Sequence, residues 1–98
     1  MQNEFSRDEV ELISKEIIDY RDNPPPNCPF NIPALQRISN TVLQKLYRIT
    51  PMTMFTKQDY TIMALSLKNL LDAIDASANL RSTDELLRLC NSLMDKIE

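Results

Sequence analysis

The feature of this chain that most constrains its fold is an internal repeat at a spacing of about 50 residues. The segment FSRDE at 5–9 corresponds to FTKQD at 55–59, an offset of 50. The segment LQRISNTVLQKL at 35–46 corresponds to LLRLCNSLMDKI at 86–97, where Leu, Arg, Asn and Lys recur at identical places. A repeat of this length is typical of a two-element unit that cannot bury its apolar face alone.

Composition narrows both the fold class and the chemistry. The 98 residues include no Gly, which disfavours strand-rich folds because their tight hairpin turns need residues at positive φ. The same absence excludes Gly-rich loops that bind phosphate. The chain has no His, the usual general base at neutral pH and the commonest metal ligand. Two scattered thiols, Cys28 and Cys90, specify no metal site and no disulfide framework, so we expect no enzyme and no cofactor.

Charge and hydropathy indicate where such a chain works. The formal net charge of −3 disfavours a protein that coats nucleic acid through bulk charge. The N-terminal segment lacks the apolar run of a signal peptide, and no stretch approaches the length of a membrane span. We therefore expect a cytoplasmic protein with reduced thiols and no membrane attachment.

The first predicted helix has an unusually complete start signal. Ser6 is placed to cap it, and Glu9 at the third helical position completes a capping box. Phe5 precedes the cap and is placed to pack on Val10 as a hydrophobic staple. Apolar residues then recur at helical spacing, which predicts a helix over about 7–22.

Three further helices follow from similar signals. The second is expected to start around Pro33, a favoured residue of the first turn, and to end at Thr50-Pro51. The third is expected to begin at Thr56, with Asp59 as its capping-box partner. The fourth is expected to open with the capping sequence STDE at 82–85.

The repeat and the helices together predict the architecture. Each half forms an αα-hairpin, about 6–49 and about 55–98, that is too small to bury its apolar face alone. We expect the two hairpins to pack as an all-α four-helix bundle, a single domain over 1–98 with approximate two-fold pseudo-symmetry. Duplication and fusion of one hairpin is our hypothesis for its origin, and chance resemblance between amphipathic helices is the alternative.

A basic stripe on the second helix is the first candidate binding site. On a helix that turns 100° per residue, with Leu35 set at 0°, the basic side chains fall between about 200° and 280°. They are Arg37, Lys45 and Arg48, and they share one side of the helix. Residues 33–49 contain no acidic side chain, although the first helix contains six. Such a stripe suits phosphates or an acidic partner protein. The alternative is that it pairs with the first helix or stays in water.

Two other groups are candidate partner-binding residues. Pro24, Pro25 and Pro26 favour a polyproline conformation that docks in aromatic grooves of a partner, and the alternative is a stiff spacer between two helices. Ile62 and Leu65 lie off the main apolar stripe of the third helix. We expect these two on a partner-facing or self-association surface.

The expected function is that of a small non-enzymatic helical protein that binds another protein. An adaptor, an antitoxin-like inhibitor and a phage-type modulator of a host protein all fit, and a homodimer stays open. A nucleic-acid regulator using the second helix is the weaker alternative, because helix-turn-helix units have a short turn that often contains Gly. Bacteriocin immunity proteins, also small cytosolic four-helix bundles, are a third alternative by analogy of size and fold class alone.

Overall fold

The computed structural model describes the backbone of residues 5–76 and 83–97 and the side chains of residues 5–74 and 87–97. Within these residues the chain forms four helices and no strand. They are α1 (Arg7–Asp22), α2 (Ile32–Tyr47), α3 (Lys57–Ala76) and α4 (Thr83–Ile97). The prediction of an all-α chain with four helices is confirmed for this part of the molecule.

Helices α1 and α3 begin with the same local structure. In α1 the Glu9 amide donates to Ser6 Oγ at 3.2 Å, and the Ser6 amide donates to Glu9 Oε1 at 2.8 Å. In α3 the Asp59 amide donates to Thr56 Oγ1 at 3.2 Å, and the Thr56 amide donates to Asp59 Oδ2 at 2.9 Å. Both predicted capping boxes are therefore present, and each satisfies two amides that a helix start leaves unpaired.

Helix α2 differs slightly from its prediction. It begins at Ile32, because Asn31 Oδ1 accepts the amide of Ala34 at 2.9 Å and caps the helix just before Pro33. It ends at Tyr47, earlier than predicted. Thr50 precedes Pro51 and is therefore disfavoured in helical conformation, so the chain leaves the helix before it reaches Thr50. The capping sequence predicted at 82–85 lies outside the described side chains.

The core lies between all four helices. Helix α1 packs against α2, α3 and α4, and α3 also packs against α2 and α4. One continuous cluster of buried side chains fills the space between them. Its members are Ile13, Ile17, Tyr20, Leu35, Ile38, Val42, Leu46, Ile62, Met63, Leu67, Cys90 and Leu93. Full burial of one such aliphatic side chain stabilises the fold by about 1.5–3 kcal/mol.

Burial corrects one sequence-based expectation. Ile62 is 0% exposed and belongs to the core, so the prediction that it lies on a partner-facing surface is wrong. The physical reason is that α3 contacts α1, α2 and α4, so its apolar face is wider than a single stripe. Leu65 is half-buried and packs against the edge of the same core.

None of the helices in the described part of the chain is both long and apolar enough to cross a membrane.

Candidate functional site

One residue of the predicted basic stripe is used inside the fold. Lys45 Nζ donates to Asp59 Oδ2 at 2.5 Å and lies 6.0 Å from the centroid of the Phe55 ring. The Asp59 side chain is almost completely buried, so its charge needs this partner. Lys45 thus joins α2 to the start of α3. Its ammonium is already paired, so it is not available to bind a partner, which was the role predicted for the basic stripe.

An equivalent contact joins the other two helices. Lys96 Nζ donates to Glu9 Oε1 at 2.5 Å and lies 6.0 Å from the centroid of the Phe5 ring. Ser92 Oγ adds a hydrogen bond of 3.0 Å to Glu9 Oε2. The rings of Phe5 and Phe55 are tilted by 60° to each other with centroids 6.1 Å apart, so the two contacts are neighbours.

We call these two contacts the cap junctions. The first consists of Phe55, Thr56, Asp59 and Lys45, and the second consists of Phe5, Ser6, Glu9 and Lys96. Burial by itself would raise the pKa of Glu9, but hydrogen bonds from Lys96, the Ser6 amide and Ser92 outweigh it and hold that pKa below 4.5. The cap junctions are therefore closed, satisfied structural pairs.

The other two members of the basic stripe separate. Arg37 is exposed on the outer side of α2, beside the first cap junction. Arg48 is exposed at the C-terminal end of α2, in a depression that Arg21 of α1 also lines. The structure therefore does not unite Arg37, Lys45 and Arg48 in one surface.

The proline-rich connector turns back on the bundle. The Cys28 amide donates to the Pro25 carbonyl at 3.0 Å, which closes a turn. Pro24 and Pro26 are exposed, whereas Pro25 is half-buried and lies close to Tyr20. Such a folded connector favours the spacer interpretation, because an extended polyproline segment has no internal hydrogen bonds.

The two cysteines lie in unreactive environments. Cys90 is completely buried in the core, and burial raises the pKa of its thiol. Cys28 is half-buried, and its Sγ lies 3.6 Å from the carbonyl oxygen of Phe30. Across the described residues there is also no group of three His, Cys, Asp or Glu side chains close enough to hold a metal ion.

A groove that no pattern in the sequence predicted runs between α1 and α2. Its apolar surface is formed by Val10 and Ile18 of α1 and by Leu43, Leu46 and Tyr47 of α2. Leu46 is fully buried at the bottom, whereas Ile18 is 39% exposed and Tyr47 is 88% exposed. The α1–α2 groove therefore presents large apolar side chains that no other part of the described chain covers.

A polar depression lies beside the α1–α2 groove and follows α2, since Leu43 and Tyr47 line both. Arg21 and Arg48 supply its charges. The Arg21 guanidinium is held in place by two hydrogen bonds, from Nη1 to Asn40 Oδ1 at 2.8 Å and from Nε to Asp22 Oδ1 at 3.0 Å. The α1–α2 groove is thus bordered along α2 by a depression that contains two arginines.

Two further apolar side chains are exposed just beyond α2. Met52 and Met54 are 85% and 82% exposed in the α2–α3 loop. A turn presents Met52, because the Thr53 amide donates to the Thr50 carbonyl at 3.0 Å. Methionine is a flexible, polarisable side chain that is common on binding surfaces.

No protein-family model matches this chain, and no curated protein or solved structure matches it either.

Proposed function

We propose that this chain is a small, non-enzymatic, cytoplasmic protein that binds another protein through the α1–α2 groove. The observation that carries the proposal is the exposure of Tyr47 and Ile18 on an apolar groove. Exposed tyrosine and arginine are enriched where proteins meet. An adaptor, an antitoxin-like inhibitor and a phage-type modulator all act in this way.

The chemistry of the groove supports recognition rather than catalysis. Ser14 lies in it, but no hydrogen bond in the described part of the chain joins its hydroxyl to a base that would activate it. The remaining lining consists of apolar, amide and charged side chains without the paired, buried carboxylates of an acid–base site.

We also propose that the two hairpins are related by an approximate two-fold axis and arose from one duplicated unit. The cap junctions support this, because the lysine of each hairpin pairs with the carboxylate of the other, as in the self-complementary interface of a symmetric dimer. At the repeat offset of 50, Ile18 corresponds to Lys68. The proposed docking residues thus belong to one hairpin alone.

Nucleic-acid binding is the second candidate function. It is favoured by the exposure of Arg37 and Arg48, and no ion pair holds either of them in the described part of the chain. It is weakened by the use of Lys45 in a cap junction, which leaves two of the three predicted cations. Steeply salt-dependent binding to duplex DNA that Arg37→Glu plus Arg48→Glu abolishes would support it. An immunity-type role still rests on analogy alone.

The proposed docking site is tested by affinity capture from the native host with matched variants. Ile18→Ser and Tyr47→Ala alter the groove, whereas Ile32→Ser alters a residue of α2 that is 64% exposed and outside the groove. Wild type and Ile32→Ser are expected to retain one stoichiometric protein partner, and the groove variants to retain at least about tenfold less. Equal capture by all variants would exclude the groove, and no stoichiometric protein partner would contradict the function.

A further inference from the structure

We propose that the α1–α2 groove binds a second copy of this chain, with α1 of each copy lying antiparallel in the groove of the other. This inference rests on the proposed protein-binding function and names the partner. The order of the charges along α1 carries it. In a symmetric dimer the same surface of both copies meets, so a second copy fits only where that surface complements itself.

A row of exposed, charged side chains borders the groove along α1. Its members recur every four residues and alternate in sign: Arg7, Glu11, Lys15 and Asp19. Residues four apart form a ridge on a helix surface, so this row extends over about 18 Å at 1.5 Å per residue. Arg7 lies 3.5 Å from Glu11, whereas Lys15 and Asp19 have no ion-pair partner among the described residues. Two charges of the row are therefore open to pairing with another molecule.

An antiparallel arrangement brings opposite charges of this row together. Arg7 and Asp19 lie equally far from Ile13 in opposite directions along α1, and so do Glu11 and Lys15. A two-fold axis level with Ile13 places Arg7 opposite Asp19 of the second copy. It also places Glu11 opposite Lys15, and each pair occurs twice. A parallel arrangement would put the two rows on opposite sides of the contact, where they cannot pair.

The apolar row of the groove has nearly the same centre. Val10 and Ile18 lie equally far from Ser14 in opposite directions, so the axis also places Val10 opposite Ile18 of the second copy. This centre is one residue from that of the charged row, about 1.5 Å along the helix. Ser14 then lies near the axis, where its small side chain lets the helices approach closely. Occupation of the groove also covers Tyr47, which is 88% exposed.

Other occupants are not selected by the charges of the groove. Its lining has two cations and two carboxylates, so it favours neither an acidic nor a basic segment. Nucleic acid would place phosphates beside Glu11 and Asp19, which repel them. The alternating row complements a helix that carries the same charges in reverse order, and an antiparallel α1 is such a helix.

Analytical sedimentation of charge-exchanged variants of the full-length protein tests the inference. Wild type is expected to form a dimer at about 0.1 mM. Glu11→Lys would place a lysine opposite Lys15, and Lys15→Glu would place a glutamate opposite Glu11. Each single variant is therefore expected to dimerise at least about tenfold more weakly. Lys68→Glu, the matched change at an exposed position of α3 outside the groove, is expected to leave dimerisation unchanged.

Combination of the two changes distinguishes pairing across the dimer from damage to the fold. In an equimolar mixture of the Glu11→Lys and Lys15→Glu variants, both opposite-charge pairs are restored across a heterodimer, which is expected to form as readily as the wild-type dimer. The double variant with both changes in one chain restores the same pairs and is expected to dimerise like wild type. A damaged fold would not be rescued in either way.

The outcomes separate this inference from the function on which it rests. A monomeric wild type, a mixture without heterodimer, or a dimer that Ile18→Ser and Tyr47→Ala leave intact would overturn the second copy as occupant. Capture of a different protein that depends on Ile18 and Tyr47 would then retain the proposed function. Capture of the untagged native chain supports both. Unfolding is compared below the dissociation constant of the dimer, because dimerisation would otherwise add to the apparent stability.

Discussion

The cap junctions and the α1–α2 groove use charged side chains in opposite ways. In the cap junctions, Glu9 and Asp59 are buried, and each accepts hydrogen bonds from a lysine and a backbone amide. Around the groove, charged side chains of both signs border exposed apolar ones, and Arg48 has no ion-pair partner among the described residues. This difference separates residues that hold the helices together from residues available to another molecule.

The two cap junctions also differ from each other. Glu9 accepts a hydrogen bond from Ser92 in addition to those from Lys96 and the Ser6 amide. Asp59 is bonded to Lys45 and the Thr56 amide. The carboxylate of the second junction therefore has more partners, which makes it less dependent on its lysine.

The largest expected effect is the loss of a lysine from a cap junction. Lys45→Met leaves the Asp59 carboxylate buried beside one amide, and we expect the free energy of unfolding to fall by about 3 kcal/mol. Lys96→Met is expected to lower it by about 2 kcal/mol, because Glu9 keeps Ser92 and the Ser6 amide. Denaturant unfolding followed by helical circular dichroism measures both values.

Lys68→Met, at an exposed position of α3, is the control for these variants and is expected to change stability by less than about 0.5 kcal/mol. If both cap-junction variants matched this control, the buried pairs would not support the fold. If Lys96→Met were the more damaging change, the comparison of the two junctions would be wrong.

Acid is expected to weaken the second cap junction. Because the folded state holds the pKa of Glu9 below 4.5, the unfolded chain binds a proton more readily, and stability falls as pH falls from about 4.5 through the folded pKa. Glu9→Gln should therefore remove part of the acid dependence of unfolding. A variant that loses stability in acid as steeply as wild type would contradict this role for Glu9.

Glu16 supplies the opposite sign for comparison. Burial, reinforced by repulsion from Asp19, raises the pKa of Glu16, so its ionised form destabilises the fold above that pKa. Glu16→Gln should therefore stabilise the protein at neutral pH, and the gain should shrink as pH falls and Glu16 becomes protonated. Unfolding curves measured between pH 3 and pH 7 distinguish the two residues, because this range includes the ordinary glutamate pKa of about 4.5.

Residues that act through local contacts were the most predictable from sequence. Ser6 and Glu9 lie three positions apart, as do Thr56 and Asp59, so each capping box follows from helix geometry alone. The pairing of Lys45 with Asp59 was not predictable in this way, because it depends on how α2 approaches the start of α3 across the intervening loop.

The groove was missed for a related reason. Ile18 follows the core residue Ile17, and Tyr47 ends its helix, so neither stands out in an apolar pattern. Their position along one groove depends on the crossing of α1 and α2. Ile62 was misplaced because a single stripe on α3 does not account for neighbours on two sides.

A smaller effect is expected where the two halves differ inside the core. Ser39 is completely buried, and its Oγ has no hydrogen-bond partner in the described part of the structure, whereas the repeat places Cys90 at the same point. Ser39→Ala should raise the free energy of unfolding by about 1 kcal/mol, because an unpaired buried hydroxyl is removed. Thermal and denaturant unfolding measure the change.

Ser66→Ala is the matched control for that substitution. Ser66 is equally buried, but its Oγ donates to the Ile62 carbonyl at 2.7 Å. Both substitutions gain the same helix propensity, so Ser39→Ala should be the more stabilising by about 1 kcal/mol. If the two substitutions changed the free energy of unfolding equally, the Ser39 hydroxyl would have a hydrogen-bond partner in solution.

The smallest expected effect on stability comes from the residues with the largest expected effect on binding. Tyr47→Ala and Ile18→Ser should each change the free energy of unfolding by less than about 0.5–1 kcal/mol, since both side chains are exposed at the α1–α2 groove and lie outside the buried core. The same denaturant unfolding measures this change beside the capture experiment. A loss of about 2 kcal/mol or more would assign Tyr47 and Ile18 to the fold. A docking surface requires both results together, an unchanged free energy of unfolding and a loss of capture. Residues that do not hold the helices together can contact a partner without a cost to the fold.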